Sequence, residues 1–92
     1  MLNIVFEKDN KRAAAYDDGK LIGECTYSQG SDFWIIDHTE VSEDYGGQGI
    51  ARKLVDKVVE AAREKGLKII PLCPYAKKVF TENSEYADVW KK

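Results

Sequence analysis

The sequence is poor in metal-binding and redox chemistry: among its 92 residues are one histidine, two cysteines, one methionine and two prolines. Cys25, Cys73 and His38 lie far apart, so no zinc-ligand spacing is present. The opening Met1-Leu2-Asn3-Ile4-Val5-Phe6-Glu7 lacks a basic segment followed by a long apolar run, so no secretory signal is expected. No stretch approaches the ~20 apolar residues that a bilayer span needs. These absences point to a cytoplasmic protein whose thiols stay reduced. One-signed charge is also missing. Fourteen Lys and Arg against sixteen Asp and Glu give a net charge of −2, which offers no broad attraction to phosphate backbones or anionic lipid. The pairs Lys77-Lys78 and Lys91-Lys92 read as solvated surface. Neither nucleic acid nor membrane is an expected partner.

Hydrophobic residues at 43% and charged residues at 33% are an ordinary globular balance. A chain of this length buries roughly 60–65% of the surface it exposes when unfolded, enough for one small core over residues 1–92 without staples. No repeat, low-complexity tract or linker interrupts it. The first third reads as an antiparallel meander. Ile4 to Phe6 is a short strand, Asp9-Asn10 a turn, and Arg12 to Tyr16 the return. Asp17-Asp18-Gly19 is a hairpin signal, because Asp and Gly tolerate positive φ. Leu21 to Ser28 and Phe33 to Val41 follow as strands, separated by Gln29-Gly30-Ser31-Asp32. The second of them is rich in aromatic and β-branched residues.

The period then changes. From Gly49 to Lys65 apolar residues recur at Ile50, Leu54, Val58 and Ala61, with Ala51, Val55, Val59 and Ala62 alongside. This spacing predicts an amphipathic helix, and Gly66 is its expected terminator. Ile69-Ile70 marks a short buried strand. The strand–helix–strand order from Phe33 to Leu72 predicts a parallel pair. Pro74 fits the first position of a second helix running to about Phe80. Thr81 to Lys92 is polar, with Tyr86, Val89 and Trp90 as the residues that would pin it to the body. The fold class is α+β: a mixed, mostly antiparallel sheet, one long helix after a Gly-rich turn, and a shorter C-terminal helix.

Tyr45-Gly46-Gly47-Gln48-Gly49-Ile50-Ala51 is the most informative stretch. A helix start leaves about four backbone N–H groups unpaired and carries roughly half a positive charge. Glycines remove the Cβ atoms that would hold a ligand away. A strand-to-helix turn with three glycines suits a diphosphate, although glycines that only cap and turn give the same local pattern. The P-loop is excluded, since no Gly-Lys is followed by Ser or Thr. The dinucleotide fingerprint would need a glycine at Arg52.

Val41 to Leu54, with Gly46-Gly47-Gln48-Gly49 at its centre, resembles the central motif of the GNAT superfamily of acyl-CoA N-acyltransferases. That motif reads Arg or Gln, any, any, Gly, any, Gly or Ala. Gly49 and Ala51 match its last two fixed positions, and Gly46 stands where Arg or Gln is usual. With Ile36-Asp37-His38-Thr39-Glu40-Val41 and Pro71-Leu72-Cys73-Pro74-Tyr75-Ala76, the whole chain is similar to a subgroup of short, single-domain acetyltransferase-like members. The resemblance implies acetyl-CoA or coenzyme A as co-substrate. Its diphosphate would lie on the backbone of Gly47 to Arg52. Its pantetheine arm would run beside the strand ending at Val41, in a cleft between the strands around Thr39 and Leu72. The implied cofactor-binding set is Thr39, Val41, Gly46, Gly47, Gln48, Gly49, Ile50, Ala51, Arg52, Pro74, Tyr75 and Lys77. The N-terminal helices that usually shape the superfamily's acceptor pocket have no room before Leu21. The acceptor site for an unidentified amine is then open or completed by a partner, and the chain is expected as a monomer or weak homodimer.

Two residues are candidate catalysts. Cys73, between a buried strand and Pro74, falls at the start of the second helix, where the helix dipole and free N–H groups favour thiolate. It could carry the acetyl group covalently; the alternative is a small buried hydrophobe. His38 suits proton transfer near neutral pH, or is a satisfied structural side chain. Asp37 or Glu40 could orient it. Alternation sets Glu40 on the face of His38 and Asp37 on the other, unless a bulge intervenes. Tyr75 could give a proton to the leaving thiolate. Lys77 or Lys78 could meet the coenzyme's 3′-phosphate. Cys25, mid-strand, reads as core. A non-catalytic acyl-CoA-binding module is the alternative to an N-acetyltransferase.

Overall fold

Asp18 and Gly19 both take positive φ, 49° and 86°. A two-residue hairpin whose twist matches its strands requires that pair of angles. The turn joins β2 (Arg12–Asp17) to β3 (Lys20–Gln29). In the computed structural model, which describes residues 1–92, β1 (Leu2–Glu7) precedes this hairpin and β4 (Phe33–Val41) follows it. The long helix α1 (Ile50–Glu64), the strand β5 (Lys68–Pro71) and the helix α2 (Pro74–Glu82) complete the fold. The sheet runs β1-β2-β3-β4-β5. Its first four strands are antiparallel, and β4 pairs with β5 in parallel.

The apolar stripe of α1 is buried as its spacing predicts, with Ile50, Leu54, Val55, Val58, Val59, Ala61 and Ala62 against the sheet. Ala13 and Ala15 on β2 join that core, and their short side chains let the helix lie close. Tyr27 and Trp34 stack across β3 and β4 with centroids 4.1 Å apart, and Phe6 lies 6.1 Å from Trp34. Gly66, at φ 70°, ends α1: its N–H reaches the Arg63 carbonyl at 3.1 Å and that of Leu67 the Ala62 carbonyl at 2.9 Å. These are the paired bonds of a glycine-terminated helix.

The C-terminal segment does more than pack. Tyr86 and Val89 are buried, and Phe80 stacks on Tyr86 at 5.0 Å. The backbone of residues 89–91 also bonds to β5: Ile69 N–H donates to Val89 O at 2.6 Å and Lys91 N–H to Ile69 O at 2.8 Å. This pairing satisfies the outer edge of the sheet, and no period-two pattern announces it.

On the sheet face turned away from α1, Arg12 donates to Glu7 at 2.7 Å and to Glu24 at 3.0 Å, while Tyr16 donates to Glu7 at 2.5 Å. The bonds from Tyr16 and then Arg12 pull the Glu7 carboxyl from an ordinary 4.5 down to about 2. A depressed carboxylate stabilises the fold above its unfolded pKa, and that contribution is lost as pH falls through the folded value. Glu7→Gln should therefore lower the melting temperature at pH 7 and flatten its acid-side decline between about pH 4.5 and 2. Circular dichroism melts across that range measure both effects.

Candidate active site

The parallel pairing of β4 with β5 lasts only from Phe33↔Lys68 to Ile36↔Pro71. At its end the Ile36 carbonyl accepts two N–H groups, from Leu72 at 3.1 Å and from Cys73 at 3.0 Å. Beyond that point β5 leaves the sheet. Asp37 to Val41 continue along β4 with one edge unpaired; the resemblance implies a cleft in this region, between Thr39 and Leu72.

A register shift decides what faces this cleft. Tyr27 pairs with Ile36 and Thr26 with His38, so Asp37 is an extra residue on β4. The bulge reverses the alternation after Ile36. Thr39, opposite Cys25, comes to the α1 side, and His38 and Glu40 come to the outer face. His38 Nε2 lies 3.5 Å from Glu40 Oε1, both side chains being well exposed at 57% and 70%. Asp37 instead accepts a bond from Ser28 at 2.6 Å. Of the two neighbours proposed to orient His38, only Glu40 is in position.

Cys73 is the N-cap residue of α2, and Pro74 takes the first helical turn. Its side chain caps no N–H of that helix. The thiol, 5% exposed, donates to Thr39 Oγ1 at 3.7 Å, and the Thr39 hydroxyl donates to Cys25 Sγ at 3.5 Å. Cys25 is fully buried, as its mid-strand position predicts. Burial pushes its thiol up to about 12, with the Thr39 bond pulling weakly the other way.

The glycine turn arrives through a short 3₁₀ turn, Glu43–Tyr45. The Tyr45 hydroxyl fastens it to the sheet by donating to Asp17 at 2.5 Å. Gly47 and Gly49 adopt φ of 78° and 74°, and a Cβ on either would project into open space. The Lys53 N–H reaches the Gly49 carbonyl at 3.2 Å, whereas no N–H from Gly47 to Arg52 donates a hydrogen bond within the chain. Gly46 differs: it is extended, with φ −63° and ψ 151°. A side chain would be tolerated there, so the backbone does not forbid the Arg or Gln usual at this position.

Val41, Gly46, Gly47, Gly49, Ile50 and Ala51 meet Tyr45 and Tyr75 around one groove of about 230 Å³. Tyr75 comes from the first turn of α2, and burial raises its phenol above the ordinary tyrosine value. Gln48, Pro74 and Lys77 are exposed and do not line the groove. Arg52 offers only its backbone, because its guanidinium donates to Tyr86 at 2.5 Å and to Glu85 at 2.7 Å. Two participants were not singled out from sequence. Tyr45 stood inside the motif, but nothing in the pattern marked its bond to Asp17. The contact of Cys25 with Thr39 depends on a cross-strand register that spacing does not supply. A second groove, of about 450 Å³, shares Val41 with the first and includes Leu21, Glu24, Glu40 and Glu43.

The fold that carries this arrangement is matched by known proteins. Residues 12–89 fit the model of the GCN5-related N-acetyl-transferase family. A GCN5-like protein from Staphylococcus aureus, described as an N-acetyltransferase, is 37% identical over 98% of this chain and 88% of its own, with a TM-score of 0.78. The ribosomal-protein-alanine N-acetyltransferase of Brucella melitensis is 25% identical over 77% of this chain and 58% of its own, at a TM-score of 0.64. The N-acetylglutamate synthase of Neisseria gonorrhoeae, solved with coenzyme A and N-acetyl-glutamate, shares the fold at 17% identity and a TM-score of 0.64, over 86% of this chain and 21% of its own. No curated protein matches the chain. The chain belongs to the GCN5-related N-acetyltransferase family, and with it to the acyltransferases that use acetyl-CoA as co-substrate. No helix is long and apolar enough to cross a membrane.

The two kinds of glycine make a paired test. Gly49→Trp should weaken coenzyme A binding at least about tenfold, because a side chain at positive φ is strained and fills the approach to the amides. Gly46→Ala, on extended backbone, should stay within about threefold. Isothermal titration with coenzyme A measures both.

Proposed function

We propose that this chain is an N-acetyltransferase that passes the acetyl group of acetyl-CoA to an amine by way of Cys73. The observation that carries the reading is the run of backbone N–H groups from Gly47 to Arg52 with no partner inside the chain, over glycines whose missing Cβ atoms leave the approach clear. Amides left without a partner inside the chain can be satisfied by an external acceptor. At a helix start the acceptor is favoured to be an anion such as a diphosphate.

Acetyl-CoA supplies an acetyl group activated as a thioester. From the glycine turn, the groove leads past Val41 to Tyr75, whose helix begins at Cys73. In this reading the Cys73 thiolate forms a bond to the acetyl carbon as the bond to the coenzyme sulfur breaks. Tyr75 gives its phenolic proton to the departing sulfur and recovers one from solvent. The raised phenol supports that role, since it stays protonated at neutral pH. His38, beside Glu40, takes a proton from the incoming amine. The amine then bonds to the acetyl carbon, the Cys73 sulfur leaves as thiolate, and the nitrogen releases its second proton to solvent to give the neutral amide. Entry of the amine from the outer face fits the carboxylates of Glu24, Glu40 and Glu43 around the second groove, because a protonated amine is attracted to them.

Mixing the protein with acetyl-CoA alone should add one acetyl group to Cys73 in peptide mass spectra, and Cys73→Ala should abolish both the adduct and turnover. Amine acetylation that persists in Cys73→Ala would replace the covalent route with direct transfer assisted by His38 and Glu40. Tyr75→Phe should lower the turnover number about a hundredfold, with coenzyme A affinity kept within a few fold. Steady-state rates and calorimetry separate the two quantities.

A further inference from the structure

The start of α2 leaves Cys73 without the donor its position suggests. A cysteine at a helix N-cap is commonly expected to point at the free N–H groups of the first turn, but this side chain makes no capping bond. The only hydrogen-bonding partner of its sulfur within the chain is the Thr39 hydroxyl, 3.7 Å away, and that hydroxyl is itself directed to Cys25 at 3.5 Å. The three groups form a directed chain: the Cys73 S–H donates to Thr39, and the Thr39 O–H donates to Cys25.

A hydroxyl has one proton and cannot donate to both sulfurs. Cys25, fully buried and held as a thiol by that burial, offers its lone pairs but gains little from the bond. A sulfur anion at Cys73 would gain far more, because hydrogen bonds to ionised acceptors are roughly twice as strong as neutral ones. Resting on the covalent reading of Cys73, we infer that Thr39 is a positioning residue whose hydroxyl waits on Cys25 while Cys73 carries its proton and turns to donate to Cys73 once that proton is gone. The proton itself leaves to solvent. No charge moves to Cys25, which keeps its hydrogen throughout.

The bulge at Asp37 is what makes the contact possible. Ile36 faces the core opposite Tyr27, and strict alternation would bring His38 inward next. With one residue inserted, Thr39 takes that inward place, opposite Cys25 and against Cys73. The same insertion sends His38 outward. Thr39 and His38 thus owe their positions to one irregularity.

The test follows alkylation of Cys73 by iodoacetamide at pH 7 without acetyl-CoA, with peptide mass spectrometry distinguishing Cys73 from Cys25. Thr39→Val, which keeps the shape and removes the hydroxyl, should slow alkylation about tenfold. Thr39→Ser should restore it to within about twofold of the parent. Cys25→Ala removes only the waiting position and should not slow the reaction. Melting curves check that each variant is folded, and Thr39→Ala serves in place of Thr39→Val should the latter be unstable. Alkylation of Thr39→Val within twofold of the parent would overturn the assignment. So would an equal loss in Cys25→Ala, which would mean that packing and not the hydroxyl governs the thiol. Failure of the covalent reading is a separate signal: the parent would then show no acetyl group on Cys73 whatever the alkylation rates.

Discussion

Two successive amides, those of Leu72 and Cys73, converge on the single carbonyl of Ile36 at 3.1 Å and 3.0 Å, and the parallel ladder stops there. Everything that follows in the site depends on this stop. A parallel pair continued to Val41 would leave no free edge on β4 and no cleft beside it. Because β5 turns away immediately, Pro74 can begin α2 beside Thr39, and Tyr75 can reach across to the glycine turn. The first turns of both helices are then gathered around the end of one strand.

The irregularities on β4 are concentrated in the same few residues. The bulge at Asp37 changes which side chains face the core, and the loss of the β5 partner begins at that residue. Bulges are over-represented beside active sites because they re-aim side chains without disturbing the rest of a ladder. Here one extra residue sends Thr39 to the thiols and His38 to the outer face, where Glu40 lies 3.5 Å away. The Glu7, Arg12, Tyr16 and Glu24 network on that same face satisfies its own hydrogen-bonding groups. The face can therefore remain uncovered by helices without leaving polar groups unpaired.

Elements with strong periodicity were legible in the sequence. The stripe from Ile50 to Ala62 announced α1, Asp17-Asp18-Gly19 announced the hairpin, and Gly66 announced the helix end, all within a residue or two. The α+β class and the parallel β4–β5 pair followed from the order of those elements. The glycine turn was legible because its residue types report on backbone geometry. What spacing could not carry was anything set by register between strands. The extra residue at Asp37 has no signature in a period-two pattern, since one inserted residue resembles ordinary alternation shifted by one. The Cys25–Thr39 contact and the single-sided partnership of His38 with Glu40 both depend on it. The pairing of residues 89–91 with β5 was likewise hidden, because its bonds are made by the backbone and place no demand on side-chain type. The resemblance placed Arg52 in the cofactor-binding set through its backbone; the bonds of its guanidinium to Tyr86 and Glu85, more than thirty residues on, had no signal in the sequence.

That diversion has a consequence for how an anion would be held. With the Arg52 cation committed to the C-terminal segment, attraction at the turn comes from fixed peptide dipoles a few ångströms from the ligand and not from a mobile full charge. Dipolar attraction of this kind is confined to the first turn of the helix and lacks the long reach of a full charge. An anion would then be held by close approach to the backbone, which is what the missing Cβ atoms of Gly47 and Gly49 permit.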